Sequence, residues 1–297
     1  MLGRVEELIE GLKSNDQKSL ARVLTIVEND LAETDDLLKL IKPKNIPVIG
    51  FTGPPGAGKS TLVNALINSY VKDGHKIAVL AIDPSSPFNK GSLLGDRIRM
   101  KDQFNDPNVF IRSVASRGYL GGISAKTIEM TDVVKAADFD YIFIETVGVG
   151  QSELEIAGLA DITVVILVPE SGDDIQHIKS GLMEIADVFV VNKSDREGSE
   201  TFANKLKMML SDHHQNIKII NTVADQSIGI EELKSAIDLE YTKRTDKRLF
   251  LLSEKAWSLI QNRKMKEIKK EVLQQKIAEA LNDQFNLYVF IDDFMNS

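Results

Sequence analysis

Seven short runs between residues 46 and 240 are apolar nearly throughout: IPVIGFT (46–52), KIAVLAID (76–83), VFIRS (109–113), YIFIE (141–145), TVVILV (163–168), VFVVN (188–192) and IKII (217–220). A strand that faces water on one side alternates apolar and polar residues. Most of these runs do not alternate, so they are expected to be buried on both faces, as in a parallel sheet. Helical patterns lie between them, and parallel strands need such crossovers. The expected fold is therefore α/β, a doubly wound, mostly parallel sheet with helices on both faces. In such sheets ligands bind beyond the carboxyl ends of the strands, so the polar residues that end each run carry the functional reading.

Two helical extensions flank this core. Val5, Leu8, Ile9 and Leu12 recur at helical spacing, as do Leu20, Val23, Leu24 and Val27. Residues 1–45 are expected to form an N-terminal helical extension packed on the main domain, ending in KPKN (42–45), a linker with a helix-breaking proline. Residues 46–240 form the expected core domain, and residues 241–297 a C-terminal helical extension that is a candidate dimerisation arm. In that last part Met265, Ile268 and Val272 suggest one apolar seam. Its lysines are interleaved with acidic residues and lack an aromatic platform, which fits a solvated helix face rather than a nucleic-acid patch. The net charge of −8 adds no global basic field. There are no cysteines, so disulfides and thiolate metal sites are excluded. No apolar run approaches the ~20 residues that span a bilayer. The acidic, amphipathic start MLGRVEELIEGLKSND has no signal-peptide core. A cytoplasmic protein with no membrane and no nucleic-acid partner is expected.

The first run leads into GPPGAGKST, residues Gly53, Pro54, Pro55, Gly56, Ala57, Gly58, Lys59, Ser60 and Thr61. The pattern G-x-x-x-x-G-K-[ST] after a strand and before a helix is that of a P-loop NTPase. Its glycines let backbone N–H groups curl around a triphosphate, and the helix N-terminus adds positive potential. Lys59 can reach the β and γ phosphates, and the Ser60 hydroxyl can ligate Mg²⁺.

VVNKSD (190–195) ends a later run. The Asp195 carboxylate can accept hydrogen bonds from the ring N–H and the exocyclic amine of guanine, whereas adenine offers an acceptor at the first position. A site built around such a pair rejects the wrong base strongly. Asn192 and Lys193 would position the loop and cover the base. TVADQSIGIEEL (222–233) follows the last run, where G-proteins often carry a Ser-Ala loop. Val223 stands where serine is usual, which leaves backbone contacts from Val223, Ala224 and Asp225.

FIETVGVGQSELE (143–155) places Glu145 at the end of the fourth run, with Gly148 three residues on. Glu145 either helps hold Mg²⁺ or orients the nucleophile. IDPSSPFNKGSLLGDRIRM (82–100) brackets a turn-rich stretch with Asp83 and Asp96. Between a P-loop and Glu145, that stretch is expected to be a loop that closes on Mg²⁺·GTP.

Together GPPGAGKST, DPSSP, GDRIRM, IRSVASRGYLGG, ETVGVGQSE and GLMEIADVFVVNKSD resemble the methylmalonyl-CoA mutase-associated G-proteins of the MeaB/ArgK/MMAA type. These belong to the P-loop class that also contains signal-recognition and nickel-insertion GTPases. The resemblance runs from about residue 5 to 240 and is dense from 48 to 195. It implies a GTP-binding, GTP-hydrolysing chaperone, typically homodimeric, that gates cofactor delivery to an adenosylcobalamin-dependent acyl-CoA mutase and protects or reactivates it. The implied cofactors are GTP/GDP and Mg²⁺, with adenosylcobalamin entering only through the partner mutase. Lys59 and Glu145 are the implied catalytic residues, and Ser60, Asp83, Asp96 and Glu145 the implied metal-facing ones. ESGDDIQHIKSG (170–181) matches a third switch that reports nucleotide state to the partner. Lys90 and Tyr119 depart from the family pattern at positions often occupied by glycine and histidine. Gln151 is either a water-positioning residue or an amide that fixes its loop. Two other readings use the same P-loop. A nickel-insertion GTPase would call on Cys or clustered His, and only His75, His177, His213 and His214 are present. A small-molecule kinase would not need the N-K-x-D string.

Overall fold

The computed structural model describes residues 2–14, 16–83, 103, 105–115, 125–146, 156–169, 181–212, 217–243, 247–265, 268–281 and 285–295. Three helices come first, α1 (Leu2–Lys13), α2 (Gln17–Glu28) and α3 (Thr34–Leu40). The core then runs β1 (Val48–Thr52), α4 (Lys59–Lys72), β2 (Ile77–Asp83), β3 (Val109–Ala115), α5 (Ala125–Ala136), β4 (Tyr141–Glu145), β5 (Ile162–Leu167), α6 (Met183–Ile185), β6 (Val188–Val191), α7 (Ser199–Asp212), β7 (Lys218–Asn221) and α8 (Ile230–Thr242). It ends with α9 (Lys247–Met265), α10 (Lys270–Ala280) and α11 (Leu287–Met295).

The seven strands form one sheet in the order β3-β2-β4-β1-β5-β6-β7, and every pairing is parallel. The expected doubly wound sheet is thus present. β1 lies at its centre, and the chain passes to β2 on one side and later to β5 on the other, which opens a crevice above the carboxyl end of β1. β1, β5 and β6 are buried at every position. IKII differs: β7 is an edge strand, and of its residues only Ile220 is buried.

Burial on both faces follows from the pleat. Val188 and Val190 of β6 face one layer, built on Leu62, Leu66 and Tyr70 of α4 and Leu233 and Ile237 of α8. Phe189 and Val191 face the other, built on Phe202, Leu206 and Leu210 of α7. Each fully buried apolar side chain of this size contributes about 1.5–3 kcal/mol.

The amino ends of the strands share one device. Asp140, Asp161 and Asp187 stand directly before β4, β5 and β6. Asp161 donates its amide to Val48 O (2.7 Å), and its Oδ2 accepts the Val48 amide (2.9 Å). Asp187 makes the same reciprocal pair with Thr163, and Asp140 with Lys76. Amides that open a parallel strand, and would otherwise lack partners, are thereby satisfied. Asp161→Ala is expected to lower unfolding stability by about 1–3 kcal/mol, the cost of leaving the buried Val48 amide without an acceptor. Asp161→Asn, which keeps an acceptor oxygen, should recover most of it in urea titrations. Equal losses for both variants would show that the bond is not the cause.

The chain divides into two compact units, Met1–Leu252 and Ser253–Ser297. Within the first, the buried Leu20, Val23, Leu24 and Val27 seat α2 against α5 and β3. Charges fix the junction: Arg112 of β3 donates to Glu28 at 2.5 Å, and Lys126 of α5 bridges Asp30 (2.6 Å) and Glu129 (2.7 Å). Burial works against the Lys126 charge, yet these hydrogen bonds outweigh it and hold its pKa above the ordinary lysine value. The residues of α10 and α11 include no buried one. The expected seam fails here. Met265 ends α9, Val272 lies on α10, and both are exposed, so the two do not share one helix face. Among the described residues no helix is long and apolar enough to cross a membrane.

Candidate nucleotide site

The loop between β1 and α4 has a conformation that its glycines make accessible. Gly53 has φ 139°, and a Cβ there would lie 2.0 Å from the Ile166 carbonyl oxygen of β5. Gly58 has φ 83°, and its Cβ would lie 2.4 Å from Asn192 Nδ2. Both positions need glycine, the first for close approach and both for positive φ. No side chain caps the first turn of α4. Its N–H groups and the positive end of the helix dipole make a setting for an anion.

Lys59 is buried, and its Nζ donates to Gly53 O (2.8 Å) and Pro54 O (3.0 Å) of its own loop. Ser60, next on the helix, donates its hydroxyl to Glu145 Oε1 at 2.6 Å, and both residues are buried. Glu145 reaches this position because it ends β4, in register with Phe51 of β1 and Ala81 of β2. Asp83 ends β2 at the same edge of the sheet, with its side chain outside the described residues. Asp96, Lys90, Tyr119, Gly148, Gln151 and most of the third switch also lie outside them.

The strings expected to face the base are tied to the P-loop directly. Asn192 donates Nδ2–H to Ala57 O (2.9 Å), while its Oδ1 accepts from Thr222 Oγ1 (3.0 Å) and the Ala224 amide (3.2 Å). Lys193, at φ 56°, donates Nζ–H to Gly56 O (2.8 Å). Val223 and Ala224 are buried, whereas Asp195 and Asp225 stand exposed on the rim. The expected amide contacts from Val223 and Ala224 have competitors here. Ala224 N–H is directed to Asn192, and Val223 N–H bonds Ile228 O at 3.1 Å in a small antiparallel bridge.

One polar device escaped the motif reading. Glu231, Lys234 and Asp238 form an i, i+3, i+7 stripe on α8 that meets α4, with Lys234 buried, Asp238 half-buried and Glu231 still exposed. Ser69 donates to Glu231 (2.7 Å), Tyr70 to Asp238 (2.9 Å), and Lys234 bonds Asp73 while lying 4.8 Å from the Tyr70 ring centre. Tyr141 also donates to Asp238, and burial, then the Asp238 charge, pushes its pKa up to about 12. α4 carries Lys59 and Ser60, and α8 follows the Val223–Asp225 loop, so this zipper fastens the two helices that serve opposite ends of the site.

The donors fit a small hard cation. Ser60 and Glu145 offer oxygen only, and no group of three or more His, Asp or Glu suited to a metal occurs among the described residues. Mg²⁺ is commonly held this way, by one or two protein oxygens plus substrate phosphates.

A family model described as methylmalonyl-CoA mutase-associated GTPase MeaB matches residues 20–282. The chain belongs to that family. Like other MeaB-family proteins it is a GTPase, and guanine nucleotide is its ligand. It is 48% identical to a Pyrococcus abyssi protein named only as a candidate GTPase, over 77% of this chain and 74% of that one. To GTPase ArgK of Escherichia coli it is 39% identical, over 78% of this chain and 74% of ArgK. The mouse methylmalonic aciduria type A homolog, a mitochondrial protein, is 37% identical over 64% of this chain and 50% of its own length. The crystal structure of an LAO/AO transport system kinase superposes with a TM-score of 0.70 at 28% identity, covering 99% of this chain and 98% of that one.

Proposed function

We propose that this MeaB-family GTPase uses its nucleotide state to gate adenosylcobalamin delivery to an acyl-CoA mutase such as methylmalonyl-CoA mutase, and to protect or reactivate that enzyme. The observation that carries the nucleotide half is the continuous circuit from Ala57 through Asn192 to Thr222 and Ala224, with Ser60 on Glu145 at its other end. These bonds join the GPPGAGKST loop to the NKSD string on one side and to the strand-end Glu145 on the other. The mutase half is supported by the family match and its description.

Residues 53–61 hold the phosphates, and the Lys59 ammonium moves from its two loop carbonyls to the β and γ phosphates. Ser60, Asp83, Asp96 and Glu145 would hold the metal, Ser60 offering an oxygen lone pair while its O–H stays donated to Glu145. Mg²⁺, when bound with the nucleotide, supplies charge neutralisation at the phosphate oxygens. Lys59 supports the charge that develops as water attacks in line. Asn192, Lys193, Asp195, Val223, Ala224 and Asp225 enclose the base. The domains of this reading are residues 1–45, 46–240 and 241–297, and the setting is cytoplasmic. The protein acts as a homodimer, a proposal supported by the exposed Leu249, Phe250, Trp257, Ile260, Tyr288 and Val289 of the C-terminal helices.

The test is a mutase time course. A purified adenosylcobalamin mutase under turnover should lose activity more slowly with this protein and GTP than with the protein alone. Identical decay curves would sink the protective role.

A further inference from the structure

Two threonines behind the P-loop are buried where valine would fill nearly the same volume. Thr52 is 0% and Thr146 1% exposed. Thr146 follows Glu145 and extends the β1–β4 ladder by one rung, its amide donating to Phe51 O at 3.0 Å. Its hydroxyl, Oγ1, lies 3.1 Å from Thr52 Oγ1 and 3.3 Å from Phe51 O. Burying two hydroxyls gains little net stability over an apolar pair of the same shape. Their bond instead fixes the backbone directly after Glu145 to the strand that becomes Gly53.

We propose that Thr146, through Thr52, is a positioning residue for Glu145, holding its carboxylate on the Ser60 hydroxyl during turnover. This rests on the reading of Glu145 given above. Nucleotide binding draws on residues 53–61, Asn192, Lys193 and Asp195, none of which bonds Thr146 among the described contacts. Loss of the latch therefore acts on the chemical step and on Mg²⁺ dependence, not on affinity for the base.

The experiment compares Thr146→Val, Thr146→Ser and the double variant Thr52→Val/Thr146→Val by kcat, KM for GTP, the Mg²⁺ concentration for half-maximal rate, and Tm. The double variant should keep a Tm near the parent's, because no hydroxyl is left without its partner. Its kcat should fall about tenfold with KM unchanged, as small misplacements of catalytic groups do. Half-maximal Mg²⁺ should rise several-fold, and Thr146→Ser should keep a near-parental kcat. A double variant with parental kcat, or Thr146→Ser as slow as Thr146→Val, would overturn the proposal. So would a kcat loss that follows Tm across all the variants, since that is the mark of packing alone. Glu145→Gln serves as the control: a parental kcat there would remove the site reading itself, a distinguishable failure.

Discussion

Lys59→Ala is expected to reduce GTP turnover by about a thousandfold, the scale at which preorganised charge at a transition state acts. The side chain is 7% exposed, and in the structure its ammonium bonds two carbonyls of its own loop, Gly53 O and Pro54 O. In the proposed function, nucleotide binding trades those bonds for phosphate oxygens, where negative charge grows as the reaction proceeds. Alanine removes the cation and leaves both carbonyls without that donor. The sheet should persist, because the central packing of Phe51, Leu62, Phe143 and Val164 does not involve Lys59. Lys59→Met, which keeps the stem, should be as inactive as the alanine variant. Phosphate release under saturating GTP, with thermal unfolding as the control, measures this. Parental turnover in either variant would dismiss the P-loop role.

The second large effect is on the base. Asp195→Asn should lower kcat/KM for GTP about a hundredfold or more, as expected when a site built to hydrogen-bond a group meets a mismatch. In the proposed function, guanine would present two donors to the Asp195 carboxylate. Xanthine carries an oxygen in place of the exocyclic amine and pairs instead with the asparagine amide, so XTP should gain as GTP loses. The circuit that supports the loop does not include the Asp195 side chain: Asn192 holds Ala57, Thr222 and Ala224, and Lys193 holds Gly56. The substitution should therefore change preference without loosening the fold. An unaltered GTP-to-XTP ratio would remove the guanine argument.

What was legible in the sequence follows the physics. Strands buried on both faces leave no polar alternation, so β1, β2, β4, β5 and β6 stood out as apolar runs. IKII looked alike but closes the sheet at an edge, where only one neighbour demands burial. The helical spacing of Leu20, Val23, Leu24 and Val27 is legible because all four are buried on α2. The spacing of Met265, Ile268 and Val272 implies one seam only if the helix is unbroken. The chain instead ends α9 at Met265 and restarts at Lys270, with neither Pro nor Gly between them to mark the break. P-loop and N-K-x-D strings are local, so spacing alone makes them visible. The bond from Asn192 to Ala57 spans 135 positions, and no spacing rule reaches it. The polar stripe of α8 was equally silent, since Glu231, Lys234 and Asp238 have the spacing of a solvated face until Tyr70 and Asp73 are placed beneath it.

A GTP switch that serves a mutase should bind that mutase differently in its two nucleotide states. The direct measurement is the binding of a purified adenosylcobalamin-dependent acyl-CoA mutase to this protein loaded with a non-hydrolysable GTP analogue or with GDP, by calorimetry at equal Mg²⁺. The dissociation constant should differ by at least about tenfold between the two states, within the span of a typical coupling free energy. Equal affinity in both states, or no binding in either, would contradict it.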